Sequence, residues 1–83
     1  MGTVYTNLSD INELQTKIMK FIIYWVHGKK TPIPRSEIIK AMEVEGINMP
    51  TTREAIYALI RKGYIRESVE ISNKTRYVML RSV

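Results

Sequence analysis

Apolar residues recur three and four positions apart from Ile11 to Val26: Ile11, Leu14, Ile18, Ile22, Trp25 and Val26, with Gln15 on the same stripe. Asn12, Glu13, Thr16, Lys17 and Lys20 fall on the other faces. This period predicts an amphipathic first helix of about four to five turns, with its apolar stripe turned inward. Asp10-Ile-Asn-Glu13 has capping-box spacing and Leu8 is placed to act as its staple, so the helix is expected to begin near Ser9 or Asp10. Gly28 is the expected stop, because glycine takes the left-handed backbone after a last turn at no steric cost.

The pattern breaks at Lys29-Lys-Thr-Pro-Ile-Pro34. Prolines two apart forbid helix and hold the backbone extended, so Ile33 between them is expected to point inward from a very short strand. A second helix is predicted from about Arg35 to Glu43, with Ile38, Ile39 and Met42 inward and Gly46 ending the region. Ile47 and Met49 are expected to plug the corner that follows. Thr51-x-x-Glu54 reads as a capping box opening a third helix from Pro50 and Thr51 to about Lys62, which Gly63 terminates. Residues 64–71 and 75–80 are rich in β-branched and aromatic side chains and alternate in part. They predict two strands joined by a turn at Ser72-Asn73-Lys74. The element order is that of an α+β fold in one domain spanning residues 1–83, with 1–8 as an arm.

Composition narrows the function. A chain of 83 residues, 45% hydrophobic and 25% charged, supports one modest core and is not disordered. It has no cysteine, so disulfides and thiolate metal sites are excluded and a reducing cytoplasm is permitted. The longest apolar run, Phe21 to Val26, is far short of a membrane span, and MGTVYTNLSD lacks the features of a signal peptide. Met1-Gly2 with Thr6 fits the myristoylation pattern formally, but no second anchor accompanies it. A cytoplasmic protein is expected. The formal charge is +5, and four of the five surplus charges lie beyond residue 45, where arginine predominates among the bases. Arginine suits bidentate contact with phosphate or guanine.

On a helical wheel Ala55, Ile56 and Leu59 cluster on one side of the third helix, with Ile60 at the edge. Arg53, Tyr57 and Arg61 form a stripe on the other, with Glu54 beside it. Such a stripe is either a solvated basic face or a surface that reads a major groove. Catalysis has no support: Ser9, Ser36 and Ser68 lack a histidine at an interpretable spacing, and the glycines at 2, 28, 46 and 63 form no phosphate-cradling loop. The lone His27 suits a helix-end cap better than a ligand, and no metal or cofactor is expected. Phe21, Trp25 and Tyr64 fit packing better than base stacking.

Thr52-Arg-Glu-Ala-Ile-Tyr-Ala-Leu-Ile-Arg-Lys-Gly-Tyr-Ile65, followed by a basic hairpin, resembles the recognition helix and wing of winged helix-turn-helix regulators of the MarR and GntR families. Thr31-Pro-Ile-Pro-Arg-Ser-Glu-Ile-Ile-Lys-Ala41 is similar to the opening of helix two in the amino-terminal domain of LexA-type repressors. The resemblance covers roughly residues 11–80 and implies three helices plus a C-terminal β-hairpin wing. It implies that Thr51, Thr52, Arg53 and Tyr57 read the groove, that Arg61 and Lys62 lie nearer the backbone, and that Arg35 and Ser36 touch phosphate. Lys74 and Arg76 would stand at the wing tip. The connection from Ala41 to Pro50 is longer than the tight turn of the simplest helix-turn-helix.

The expected function is sequence-specific binding of double-stranded DNA, as a small transcriptional regulator with helix 51–62 in the major groove and hairpin 64–80 as the wing. One such module binds weakly alone, so a symmetric homodimer or a larger partner is expected. Candidate seams are the first ten residues with the outer side of helix one (Tyr5, Tyr24), or the hairpin edge. The alternative is a winged helix serving as a protein–protein interaction module in a replication or transcription complex. A structured RNA is a third partner compatible with the sequence.

Overall fold

The computed structural model describes residues 11–81. In chain order it comprises α1 (Glu13–Lys29), β1 (Ile33–Pro34), α2 (Arg35–Val44), α3 (Met49–Arg61), β2 (Ile65–Val69) and β3 (Arg76–Leu80). These make an α+β fold of three helices and a three-stranded antiparallel sheet, with β3 central in the order β1-β3-β2. The expected Leu8 staple, the 1–8 arm and the Tyr5 seam lie outside the described residues.

Asn12, rather than Asp10, is the N-cap of α1. Its Oδ1 accepts the Gln15 backbone N–H at 2.8 Å, while Gln15 Oε1 accepts the Asn12 N–H at 3.3 Å. This closes a capping box two residues later than the expected one. At the other end the helix runs through Gly28 and stops at Lys29. Lys30 adopts the left-handed backbone (φ 60°) and donates its N–H to the Val26 carbonyl. Pro32 accounts for the shift, since it disfavours helix at Thr31 and leaves the turn to fall just before it. The extension also carries the Lys29 ammonium over the Trp25 ring, 5.0 Å from its centroid.

Ile33 is fully buried between its prolines and pairs with Val78 of β3. α2 reaches Val44 and ends on Gly46 (φ 86°), with the Ile47 N–H returning to the Met42 carbonyl at 3.0 Å. Ile47 is half-buried as expected; Met49 is instead the exposed first residue of α3. α3 also opens earlier than the Thr51 capping box implied. Asn48 Oδ1 accepts the Thr51 N–H at 3.0 Å, and Pro50, with no N–H to satisfy, sits in the first turn. Gly63 (φ 86°) ends α3 as predicted, and the Tyr64 N–H bonds the Leu59 carbonyl at 3.1 Å.

The core gathers Ile18, Ile22, Ile33, Ile38, Met42, Ala55, Ile56, Leu59, Ile65 and Val78 from every element. α1 packs on α2, α3 and β3, so the stripe read from the sequence is its inner face. Ile39, expected inward with Ile38 and Met42, is only partly buried. At the far end of α2, Glu45 pairs with Lys17 of α1 at 2.7 Å and holds that ammonium above the ordinary lysine range. β2 and β3 are shorter than the apolar runs suggested. The turn spans 70–75, closed by the Glu70 N–H to the Thr75 carbonyl at 2.8 Å, with Lys74 left-handed (φ 59°). Among the described residues no helix is long and apolar enough to cross a membrane.

Candidate nucleic-acid interface

β1 delivers the chain directly into α2, so Arg35 opens a helix whose N-cap, Pro34, offers no side-chain acceptor. The first-turn N–H groups of α2 therefore lack a capping side chain. The sheet places Pro34 opposite Tyr77, one residue from Arg76, so this helix start lies beside the root of the β2–β3 turn. Arg35, Ser36 and Ile39 from α2 and Lys74, Thr75 and Arg76 from the turn line an open cleft of about 290 Å³. Four of the predicted contact residues, from two parts of the chain, thus share one surface depression.

Tyr57 joins this group from α3: Arg35 Nη1 donates to its hydroxyl at 3.0 Å. Beneath them lies Glu67 of β2, its side chain only 14% exposed. Its Oε1 accepts from Arg76 Nη1 at 3.2 Å, and its Oε2 stands 3.5 Å from Arg35 Nη1. Two arginines and one carboxylate leave a single positive charge at this centre, with the exposed Lys74 adding a second at its rim. The sequence reading missed Glu67, yet a signal was present. It lies two residues after the buried Ile65, on the same strand face, where an acid is out of place unless paired.

The remaining predicted residues divide. Thr51 and Arg61 are exposed and Arg53 is half-buried, and among the described residues neither arginine forms an ion pair. They keep to the outer side of α3 with Tyr57. Thr52 does not: it is fully buried, so its expected role in groove reading is corrected to that of a core residue. It stands three positions before Ala55, four before Ile56 and seven before Leu59, which is the spacing of the apolar stripe itself. Lys62 is drawn elsewhere, donating to Gln15 Oε1 in the first turn of α1 at 3.1 Å. Arg76, expected at the wing tip, is the first residue of β3 and is tied inward to Glu67.

Among the described residues no three histidine or carboxylate side chains gather as a metal site requires. The two most exposed large apolar residues among those described went unremarked in the sequence: Val44 at the end of α2, 88% exposed, and Ile71 in the hairpin turn, 92% exposed. Comparison with known proteins gives no match to a family model, a curated protein or a solved structure.

Proposed function

We propose that this chain is a winged helix-turn-helix domain that binds double-stranded DNA as a small transcriptional regulator, with α3 in the major groove and the β2–β3 hairpin as its wing. The observation that carries the reading is the shared cleft of Arg35, Ser36, Lys74 and Arg76, linked through Arg35 to Tyr57 on the outer side of α3. Cationic side chains from a helix start and a hairpin turn then flank the helix whose outer side bears Arg53 and Arg61. That arrangement suits a polyanion lying along α3, with phosphates at the flanks and base edges between. A symmetric homodimer supplies the second half-site, through the exposed Tyr24 on α1 or the free edge of β2.

Selection from a random duplex pool tests this reading. An arginine–guanine pair discriminates against a wrong base by ~1–3 kcal/mol, whereas a phosphate contact carries no direct sequence information. Arg53→Ala is therefore expected to relax one position of the selected motif. Arg61→Ala, further along α3, is expected to weaken preferred and random duplex evenly. An unchanged motif for Arg53→Ala removes that residue from base reading. The exposure of Tyr24, Val44 and Ile71 favours a second reading, a protein-interaction module, for which no selected motif emerges at all.

A further inference from the structure

Glu67 is held in place by the hairpin register. It stands opposite Val78, which makes Arg76 its diagonal neighbour on β3. One oxygen accepts from Arg76. The other, Oε2, is enclosed and has no hydrogen-bond partner, although Arg35 Nη1 lies 3.5 Å away. An enclosed carboxylate with an unbonded oxygen is a poor stabilising device, since the desolvation it suffers is only partly returned by its pairs. What this position does achieve is control of two guanidinium groups. Through Arg35 Nη1, which also donates to Tyr57, that control reaches the outer side of α3.

We propose that Glu67 is a specificity-determining positioning residue, restraining Arg35 and Arg76 so that the surface discriminates between DNA sequences instead of holding any duplex. This rests on the reading of the basic face as a DNA surface and adds to it a reason for an acid at its centre. Each guanidinium has five N–H donors, so pairing through Nη1 limits the swing of the group and leaves other donors for DNA. The carboxylate meanwhile cancels one of the two charges and weakens the pull of the cleft on any phosphate. Sequence-independent attraction is lowered. Contacts that depend on the placement of Arg35 and Tyr57 are kept.

Two substitutions separate charge from position. Glu67→Gln keeps the shape and an acceptor but removes the charge. It is expected to tighten binding to random duplex at low salt by about fivefold, the worth of one unit charge at ~4 Å in a water-like dielectric. The ratio of preferred to random affinity is expected to fall. Glu67→Asp keeps the charge but draws it back by one methylene; random-duplex affinity is expected to stay at the parent level while the ratio again falls. Circular dichroism and melting curves verify that both variants are folded, and a ratio of affinities is insensitive to a uniform loss of folded protein. An unchanged ratio in either folded variant, or random-duplex binding by Glu67→Gln no tighter than the parent's, overturns the inference while leaving the DNA reading intact. A parent protein that binds no duplex overturns the DNA reading and this inference with it.

Discussion

Ile38 of α2, Ile56 of α3, and Ile65 and Val78 of the hairpin belong to one cluster of side chains with no exposed surface to speak of and no direction to their attraction. Arg35, Tyr57, Glu67 and Arg76 join the same helices and hairpin a second time, through contacts that depend on angle and distance. The apolar seam gains its energy from area and close packing, which set no preferred angle between the groups. The ionic seam contributes little net energy and fixes where charges stand. The difference separates two kinds of residue in so small a chain: those whose loss unfolds the protein and those whose loss changes what the folded protein contacts.

Three substitutions probe that separation. The largest effect is expected from Ile56→Ala, which opens a cavity in the fully buried centre of the apolar seam. Unfolding stability in urea should fall by about 2–5 kcal/mol. Duplex affinity, corrected for the folded fraction, should not change; a selective loss of affinity would show that the two seams are not independent.

Next comes Thr52→Val. The Thr52 Oγ1 is enclosed without a partner, so replacing the hydroxyl by a methyl removes an unmet polar group at nearly constant volume. A gain of about 1 kcal/mol in stability is expected, with the selected DNA motif unaltered. A change in that motif would return Thr52 to the reading surface.

The smallest effect is expected at Gly28, which is exposed and belongs to neither seam. It lies inside α1, and a Cβ there would meet nothing within 4 Å. Gly28→Ala should raise stability by roughly 0.5–1 kcal/mol. A loss, seen as a lowered melting temperature, would mean that α1 does end at Gly28.

Most of the apolar seam was legible in the sequence because it obeys periods. Ile18 and Ile22, then Ala55, Ile56 and Leu59, recur at helical spacing, and Ile33 is isolated between two prolines that leave its backbone no choice. Helix ends were less legible, because neighbouring residues compete for the same cap at small energy differences. Asn12 and Asn48 took caps that Asp10 and Thr51 were also suited to take, and Lys30 took the left-handed position expected of Gly28. Of the candidate site, the outer side of α3 followed from the same wheel that gave the core. The cleft did not, since it depends on Pro34 pairing with Tyr77 to bring Arg35 beside Arg76. Pairing across more than forty residues leaves no mark in local spacing. Thr52 was misread because its chemistry suited a groove while its spacing suited the core, and spacing was the stronger constraint.

The most direct test of the account is duplex binding followed through a salt series by mobility shift. Arg35, Lys74, Arg76 and neighbouring bases are expected to make about four to six phosphate contacts per monomer. A plot of log affinity against log salt should then have a slope of roughly −4 to −5. A slope in that range supports a polyanion on the cleft between α2 and the hairpin. Affinity that stays flat as salt rises contradicts it, and leaves the exposed residues Tyr24, Val44 and Ile71 as the contacts of a protein partner.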